Sequence, residues 1–271
     1  MQVDRLHAPF YGSVIIGSGD EKHMTIFILK ILAMLTMTMD HVATGFLDKM
    51  PAMRIVGRLA FLFYAFMIAE GFNHIKDKPD RLLRHVIKLG VLCVVSELAY
   101  DFFETGKLID WESQSVMPVL FLGFVGLIIT EKFFDKPWVY VLFYIASAFL
   151  TYYGKTNYKF AGVLLIYAFY FYLKYAGNKS FPVKLLILIA ILGVYFIAYV
   201  WARTGFKGFG EWLEMYEKVA PWIIGHAAAA VFLAAYNGKP GPRNKVFGWV
   251  YSLYYPLHMA VLGVVLIFVG R

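Results

Sequence analysis

The sequence predicts an all-α, polytopic membrane helix bundle of about nine transmembrane helices, on three observations. First, 60% of the 271 residues are apolar and only 16% charged, against about 45–50% and about 25% in soluble globular chains. Mean hydropathy is accordingly high, at +0.63. Second, the apolar residues come in runs close to the roughly 20 residues needed to cross a bilayer. Third, the cations fall in short clusters between those runs, so the net charge of +8 fits loops facing anionic lipid rather than a nucleic-acid surface. A single core cannot absorb this much apolar surface, because a chain of this size leaves roughly a quarter of its unfolded surface exposed. A soluble enzyme, a disordered chain and a disulfide scaffold are excluded; the single cysteine, Cys93, lies inside an apolar run.

Taken in order, residues 1–22 hold mixed charges and one short apolar stretch, Ser13–Gly17. They are expected to be a disordered or vector-derived leader, since that stretch is too short for a secretory signal. Residues 23–271 are expected to form one membrane domain. Its apolar segments are 25–46, 55–75, 86–104, 116–131, 138–153, 158–175, 184–202, 218–236 and 246–269. Breakers separate them: Pro51, Pro79, Gly106, Pro137, Gly154, Gly177–Asn178, Gly205 to Gly210 and Asn237–Gly238. No period recurs among the segments, so no internal repeat is expected.

The separators set an orientation. Lys76, Lys78, Arg81, Arg84 and Lys88 fall in one, Lys132 and Lys136 in another, Lys174, Lys179 and Lys184 in a third, and Lys239, Arg243 and Lys245 in a fourth. The separators between these are acidic, with Glu104, Asp110 and Glu112 in one and Glu211, Glu214 and Glu217 in another. The alternation places the N-terminus in the cytoplasm and the C-terminus outside.

Charged side chains inside a span cost at least about 2.5–3.5 kcal/mol each and mark functional sites by default. Lys30, Asp40, His41, Arg58, Glu70, Glu97, Asp101, His226 and His258 are such residues. At about 1.5 Å of rise per residue, His41 lies about 8 Å below the outer end of its helix and Arg58 about 5 Å. Glu97 and His226 come out at about 10–12 Å. Four ionisable groups from four helices thus share one outer layer, which points to a common polar cavity; Glu70 falls near the inner face and His258 near the middle. Structural readings stand beside the functional ones. Arg58 can neutralise Glu97 and lock two helices, His226 and His258 can be packed interface histidines, and Lys30 can snorkel to the headgroups. Asp40 and His41 point about 100° apart and cannot orient one another, so Asp40 is expected to reach another helix, with Arg58 the obvious partner. No P-loop, HExxH, GxSxG or metal-spaced cysteine set occurs, and no metal is expected.

The runs LKILAMLTMTMDH at 29–41, RIVGRLAFLFYAFMIAEGF at 54–72 and RLLRHVIKLGVLCVVSELAYD at 81–101 resemble the TraX family of membrane acetyltransferases, as do YNGKPG at 236–241 and YSLYYPLHMAVL at 251–262. More distantly, the chain is similar to the acyltransferase-3 and heparan-glucosaminide acetyltransferase groups. The matching positions are Asp40-His41, the Arg58 run, Ala69-Glu70-Gly71, Ser96-Glu97 and Tyr255 to His258. Leu62 stands where the family has proline, Asn157-Tyr158 where it has Asp-Tyr, and Ala99 where it has the proline of Ser-Glu-x-Pro; these departures bear on the acceptor.

The resemblance implies a transmembrane acyltransferase domain in a bacterial cytoplasmic membrane. It implies acetyl-coenzyme A as donor and a pilin N-terminus, a glycan or a small amine as acceptor. Arg81, Arg84, Lys239 and Arg243 are the expected cations for the donor's phosphates at the cytoplasmic face. His41 is the expected general base, with Asp40, Arg58 and Glu97 as the other catalytic groups and Glu70, His226 and His258 as further pocket residues. The runner-up class is a proton-coupled transporter using the same Asp, His, Glu and Arg layer as a relay, although the absence of a repeat counts against it.

Overall fold

A computed structural model describes residues 24–46, 50–205, 207–242 and 244–269; the expected leader, 1–22, lies outside them. Eleven α-helices run through the described residues: α1 (Ile26–Phe46), α2 (Pro51–Gly57), α3 (Leu59–Ile75), α4 (Pro79–Thr105), α5 (Met117–Lys132), α6 (Pro137–Tyr153), α7 (Lys159–Tyr175), α8 (Phe181–Thr204), α9 (Phe209–Val219), α10 (Trp222–Ala234) and α11 (Lys245–Val269). Among the described residues there is no strand, only two isolated bridges. The all-α membrane fold read from composition is the one observed. Four stretches are long and apolar enough to cross a membrane, namely α1, α2 with α3 (Pro51–Ile75), α8 and α11; α6 and α10 are shorter apolar helices.

Local chemistry sets the helix starts. Pro51, Pro79, Pro118, Pro137 and Pro182 each stand in the first two positions of a helix, where the missing N–H costs nothing and the fixed φ is already helical. One element differs from the sequence reading. The acidic separator before α10 folds into the short helix α9, whose Trp212, Met215 and Tyr216 pack on Phe196 and Val200 of α8, while Glu211, Glu214 and Glu217 are left for solvent. The segment read as one span over 55–75 runs as α2 and α3, which meet at Arg58; that residue keeps right-handed helical angles and its N–H still donates to Arg54 C=O at 3.1 Å, so Pro51–Ile75 forms one span.

The bundle has two ends, and the separators sort between them. At one end the chain before α1 lies along the loop after α10, with Ile26 and Phe27 N–H donating to the carbonyls of Lys239 and Pro240 and Asn237 N–H to Met24. Lys76 and Lys174 meet Glu131 at the same end. At the other end Gln114 N–H donates to Lys155 C=O, Asn157 N–H to Gln114 C=O, and Lys155 pairs with Glu112. Asp101, read as an intramembrane group, accepts there from Asp110 N–H at 2.8 Å.

Helix α3 is the hub, packed against α1, α5, α7 and α10. Its buried Phe66 meets the rings of Phe169, Tyr172 and Tyr236, and Phe72 those of Phe124 and Tyr170. The periphery is inverted: α6 exposes Leu142, Ile145, Phe149 and Leu150, a face suited to lipid. In such a solvent apolar burial between helices brings no hydrophobic gain, so close packing of small residues does the work. Two glycines matter most. An added Cβ at Gly57 would lie 2.4 Å from Asp40 Cβ, and at Gly225 2.7 Å from the carbonyl oxygen of Ile55. The two contacts draw α1, α2 and α10 together around Arg58.

Gly57→Ala is therefore expected to destabilise the protein by about 1–3 kcal/mol through overpacking against the α1 backbone, read as a lower melting temperature in detergent. Gly193→Ala, where the added carbon meets nothing within 4 Å, should raise stability by about 0.5–1 kcal/mol. Equal melting of the two variants would remove the packing role assigned to Gly57.

Candidate functional site

The site begins with Arg58, where α2 meets α3. Its side chain leaves the helix between α1, α7 and α10. Arg58 Nη1 lies 3.6 Å from Asp40 Oδ2, and both side chains are only about 15% exposed. The same nitrogen donates to the Tyr158 hydroxyl at 3.3 Å, and the guanidinium stands 4.5 Å above the Trp222 ring, a cation–π geometry. Tyr158 stacks on Phe61 with ring centroids 3.8 Å apart. Asp40 Oδ1 and Arg58 Nε are buried with no hydrogen-bond partner among the described residues. Buried polar atoms are normally satisfied, so the pair keeps unused bonding capacity.

His41 faces the other way from Asp40, towards α11. Its Nδ1 lies 2.8 Å from Nε2 of His258, whose Nδ1 lies 2.8 Å from the backbone carbonyl of Tyr254. Phe103 and Tyr255 close on the His41 ring edge-on at 5.7 and 6.1 Å. Asp40, His41, Arg58, Tyr64, Asn157 and Tyr158 line one small cavity of about 50 Å³, room for a water or a small reacting group.

A second cavity, of about 460 Å³, adjoins it and shares Tyr64 and Tyr255 with it. It begins among Ile26, Ile75 and Gly248, at the bundle end where the basic separators gather, and carries Lys30, Glu70, His74, His85, Lys88 and Ser96 on its walls. From Ile75 to Tyr64 is eleven residues of α3, or about 16 Å of helix. Lys30 sits 4.7 Å over the Tyr251 ring, and Lys88 Nζ donates to Ser252 Oγ at 2.5 Å. Tyr64 stands where the two cavities meet, and its hydroxyl and that of Ser96 are buried without a partner among the described residues.

The residues singled out from sequence are thus divided. Asp40, His41 and Arg58 come together, and His258, placed near the middle from its sequence depth, is hydrogen-bonded to His41. His226 lies behind Trp222: its Nδ1 is 2.7 Å from the Trp222 carbonyl and its ring stacks on Tyr195, with Arg58 lining the same recess. Glu97 does not serve Arg58. Its carboxylate takes the N–H and hydroxyl of Ser115, at 3.0 and 2.5 Å, because the turn that opens α5 presents those donors directly to it. Glu70 accepts from the Tyr236 hydroxyl at 2.5 Å and lines the larger cavity. Lys30 lines that cavity instead of leaving for the headgroups.

Arg81 and Arg84 are exposed on the first turns of α4, with Arg84 Nε donating to the Asp80 carbonyl at 3.2 Å. Lys239 is exposed in the loop that receives α1, and Arg243 lies outside the described residues. Sequence reasoning missed Tyr64 and Trp222, since nothing marks one tyrosine among 19 or one tryptophan among 6, and it named Tyr158 only as part of the Asn157-Tyr158 departure, with no role beside Arg58. Among the described residues no three His, Cys, Asp or Glu side chains converge as a metal ligand set.

Comparison with known proteins covers nearly the whole of this architecture. Over 259 residues, 87% of this chain and 93% of the relative, the sequence is 26% identical to a probable fimbrial assembly protein FimC, serogroup H1, of Dichelobacter nodosus. No solved structure matches the chain. The model of the TraX protein family matches residues 26–266, from the first residue of α1 to the last turn of α11. That span takes in the Asp40–Arg58 pair, the two bonded histidines and both cavities, and the chain belongs to the TraX family.

Proposed function

We propose that this protein is a multi-pass acetyltransferase of a bacterial cytoplasmic membrane, moving acetyl from acetyl-coenzyme A to an amine or hydroxyl acceptor with His41 as general base. The observation that carries the reading is the meeting of two cavities at Tyr64. One opens among cations at one end of the bundle, and the other holds a histidine beside a buried arginine. In this reading the chain crosses the membrane about nine times. The end bearing Lys76, Lys132 and Lys239 faces the cytoplasm, in line with the positive-inside rule, and the C-terminus lies outside.

The donor's shape suits this arrangement. Its pantetheine arm is comparable to half or more of the roughly 30 Å apolar thickness, so it can run the length of the larger cavity and bring its thioester to Tyr64. Its phosphates then lie at the mouth, near Lys88 and Lys30. Arg84 is one helical turn outward on the same face as Lys88, Arg81 precedes it on the first turn of α4, and Lys239 lies in the loop that receives α1; Arg243 is the remaining cation proposed for this role. The acceptor enters the smaller cavity from the opposite end. Since the relative is named for fimbrial assembly, a pilin N-terminus is the first acceptor to try, ahead of a glycan or small amine.

The chemistry follows from the groups present. His41 takes the proton of the attacking amine or hydroxyl as its nitrogen or oxygen bonds to the thioester carbon. Negative charge gathers on the former carbonyl oxygen, where the Arg58 guanidinium and the Tyr64 hydroxyl can stabilise it in a low-dielectric site. The carbon–sulfur bond breaks, and the thiolate leaves with the proton held by His41. Asp40 keeps Arg58 in place. Glu97, anchoring the start of α5, supports the wall that carries Val116.

Two tests separate donor binding from chemistry. Coenzyme A thiol release by purified protein, with mixed amines and sugars as acceptors, is expected to fall by about 10²–10⁴-fold in His41→Ala, the usual worth of a general base, while acetyl-coenzyme A still raises its melting temperature. Equal release from the folded variant would remove His41 from the chemistry. Lys88→Ala and Arg84→Ala should instead raise KM for the donor by about tenfold, the loss of one charge-assisted contact of roughly 1.5 kcal/mol, with kcat kept. An unaltered KM in both variants would move the phosphates elsewhere, and a wild-type protein that neither binds acetyl-coenzyme A nor releases thiol would favour the carrier.

A further inference from the structure

We infer that His258 is a positioning residue that holds His41 in a single tautomer, with the Nε2 lone pair bare. The inference rests on the reading of His41 as a base, and it names what makes that ring competent. The first link is an atom that cannot donate. The backbone carbonyl of Tyr254 only accepts, and it lies 2.8 Å from Nδ1 of His258, so that nitrogen carries a hydrogen. A neutral His258 then presents a lone pair at Nε2. That lone pair is 2.8 Å from Nδ1 of His41, which must therefore carry the hydrogen of this second bond. A neutral imidazole has one N–H, so His41 Nε2 is left as an acceptor. The chain of bonds fixes which nitrogen is basic, an assignment that an isolated histidine leaves open.

Each link is braced by the helices. Tyr254 and His258 are one turn apart on α11 and their rings stack, with centroids 5.2 Å apart and planes 12° from parallel. One turn back on α1, Thr38 Oγ1 meets the Tyr254 hydroxyl at 2.7 Å. Two contacts a turn apart, Thr38–Tyr254 and His41–His258, thus clamp the same faces of α1 and α11 and set the angle of the His41 ring. Bonding partners one step removed from a functional histidine commonly fix its tautomer in this way, and losing them costs about 10–100-fold.

The test uses full-length protein in detergent. His258→Met has similar reach and no comparable acceptor; His258→Gln places an amide oxygen where Nε2 stands; His258→Asn is too short to reach. With melting temperatures close to wild type, Met and Asn variants are expected to lose about 10–100-fold in kcat with the donor KM unchanged, and Gln to recover most of it. A folded Met variant with wild-type kcat, or a Gln variant as weak as Met, would overturn the assignment. A second readout does not depend on catalysis or on variant folding. In protein labelled with ring ¹⁵N histidine, with the His41 signals identified from His41→Ala, Nδ1 should report as protonated and Nε2 as bare at neutral pH. The reverse pattern overturns the proposal. Should the wild type transfer acetyl to nothing, the base reading fails while the ring nitrogens still decide the tautomer.

Discussion

The arrangement depends on one ion pair, Asp40 with Arg58, held between helices with little exposure. Either charge alone would be costly inside a bilayer, and removing one partner of a buried pair typically costs about 3–5 kcal/mol because the other is left uncompensated. The pair therefore imposes demands on its neighbours. Asp40 must face away from the lipid, so α1 is fixed in rotation, and the adjacent His41 is turned by about 100° towards α11. Arg58 must reach α1, and the glycine just before it, Gly57, lets the two helices approach that closely. The Trp222 ring and the Tyr158 hydroxyl take up the rest of the guanidinium, which brings α10 and the start of α7 to the same point.

The two cavities divide polarity in a way that follows from this constraint. Around Arg58 the polar atoms are crowded into a space of about 50 Å³ between largely buried side chains, where a fixed charge is weakly screened. The larger cavity opens at the basic end, and its lysines are held by soft contacts, an aromatic face for Lys30 and a serine hydroxyl for Lys88. A compact arginine site and a looser lysine entry suit different tasks: the guanidinium is a rigid fork for a fixed geometry, whereas an ammonium on a flexible stem can follow a mobile anionic ligand.

Much of the site was legible because charge in an apolar run is rare and therefore informative. Asp40, His41 and Arg58 stand out against their neighbours, and the 100° offset of adjacent residues already sent Asp40 to Arg58. Glu97 shows the limit. It looked like a member of the same layer by depth, yet depth along a helix carries no rotation, and its carboxylate turned to the donors of Ser115. Lys30 erred the other way, since a lysine near a helix end looks like a snorkel until a cavity is found beside it. Tyr64 carried no signal at all, because one tyrosine among 19 is marked only by an unpartnered hydroxyl at the junction of two cavities.

The sequence by itself determined the solvent, the helical class, most helix boundaries and the blocks that mark the family. These rest on quantities local to the chain: apolar runs, prolines at helix starts and cation clusters between runs. Only the tertiary structure decided which face of each helix meets which neighbour. It joined His41 to His258 across 217 positions of sequence, parted Glu97 from Arg58 and placed Lys88 on a cavity wall. The reason is that a helix's rotation about its axis is set by packing against other helices when lipid surrounds them all, and that information is distributed over contacts that no single segment contains.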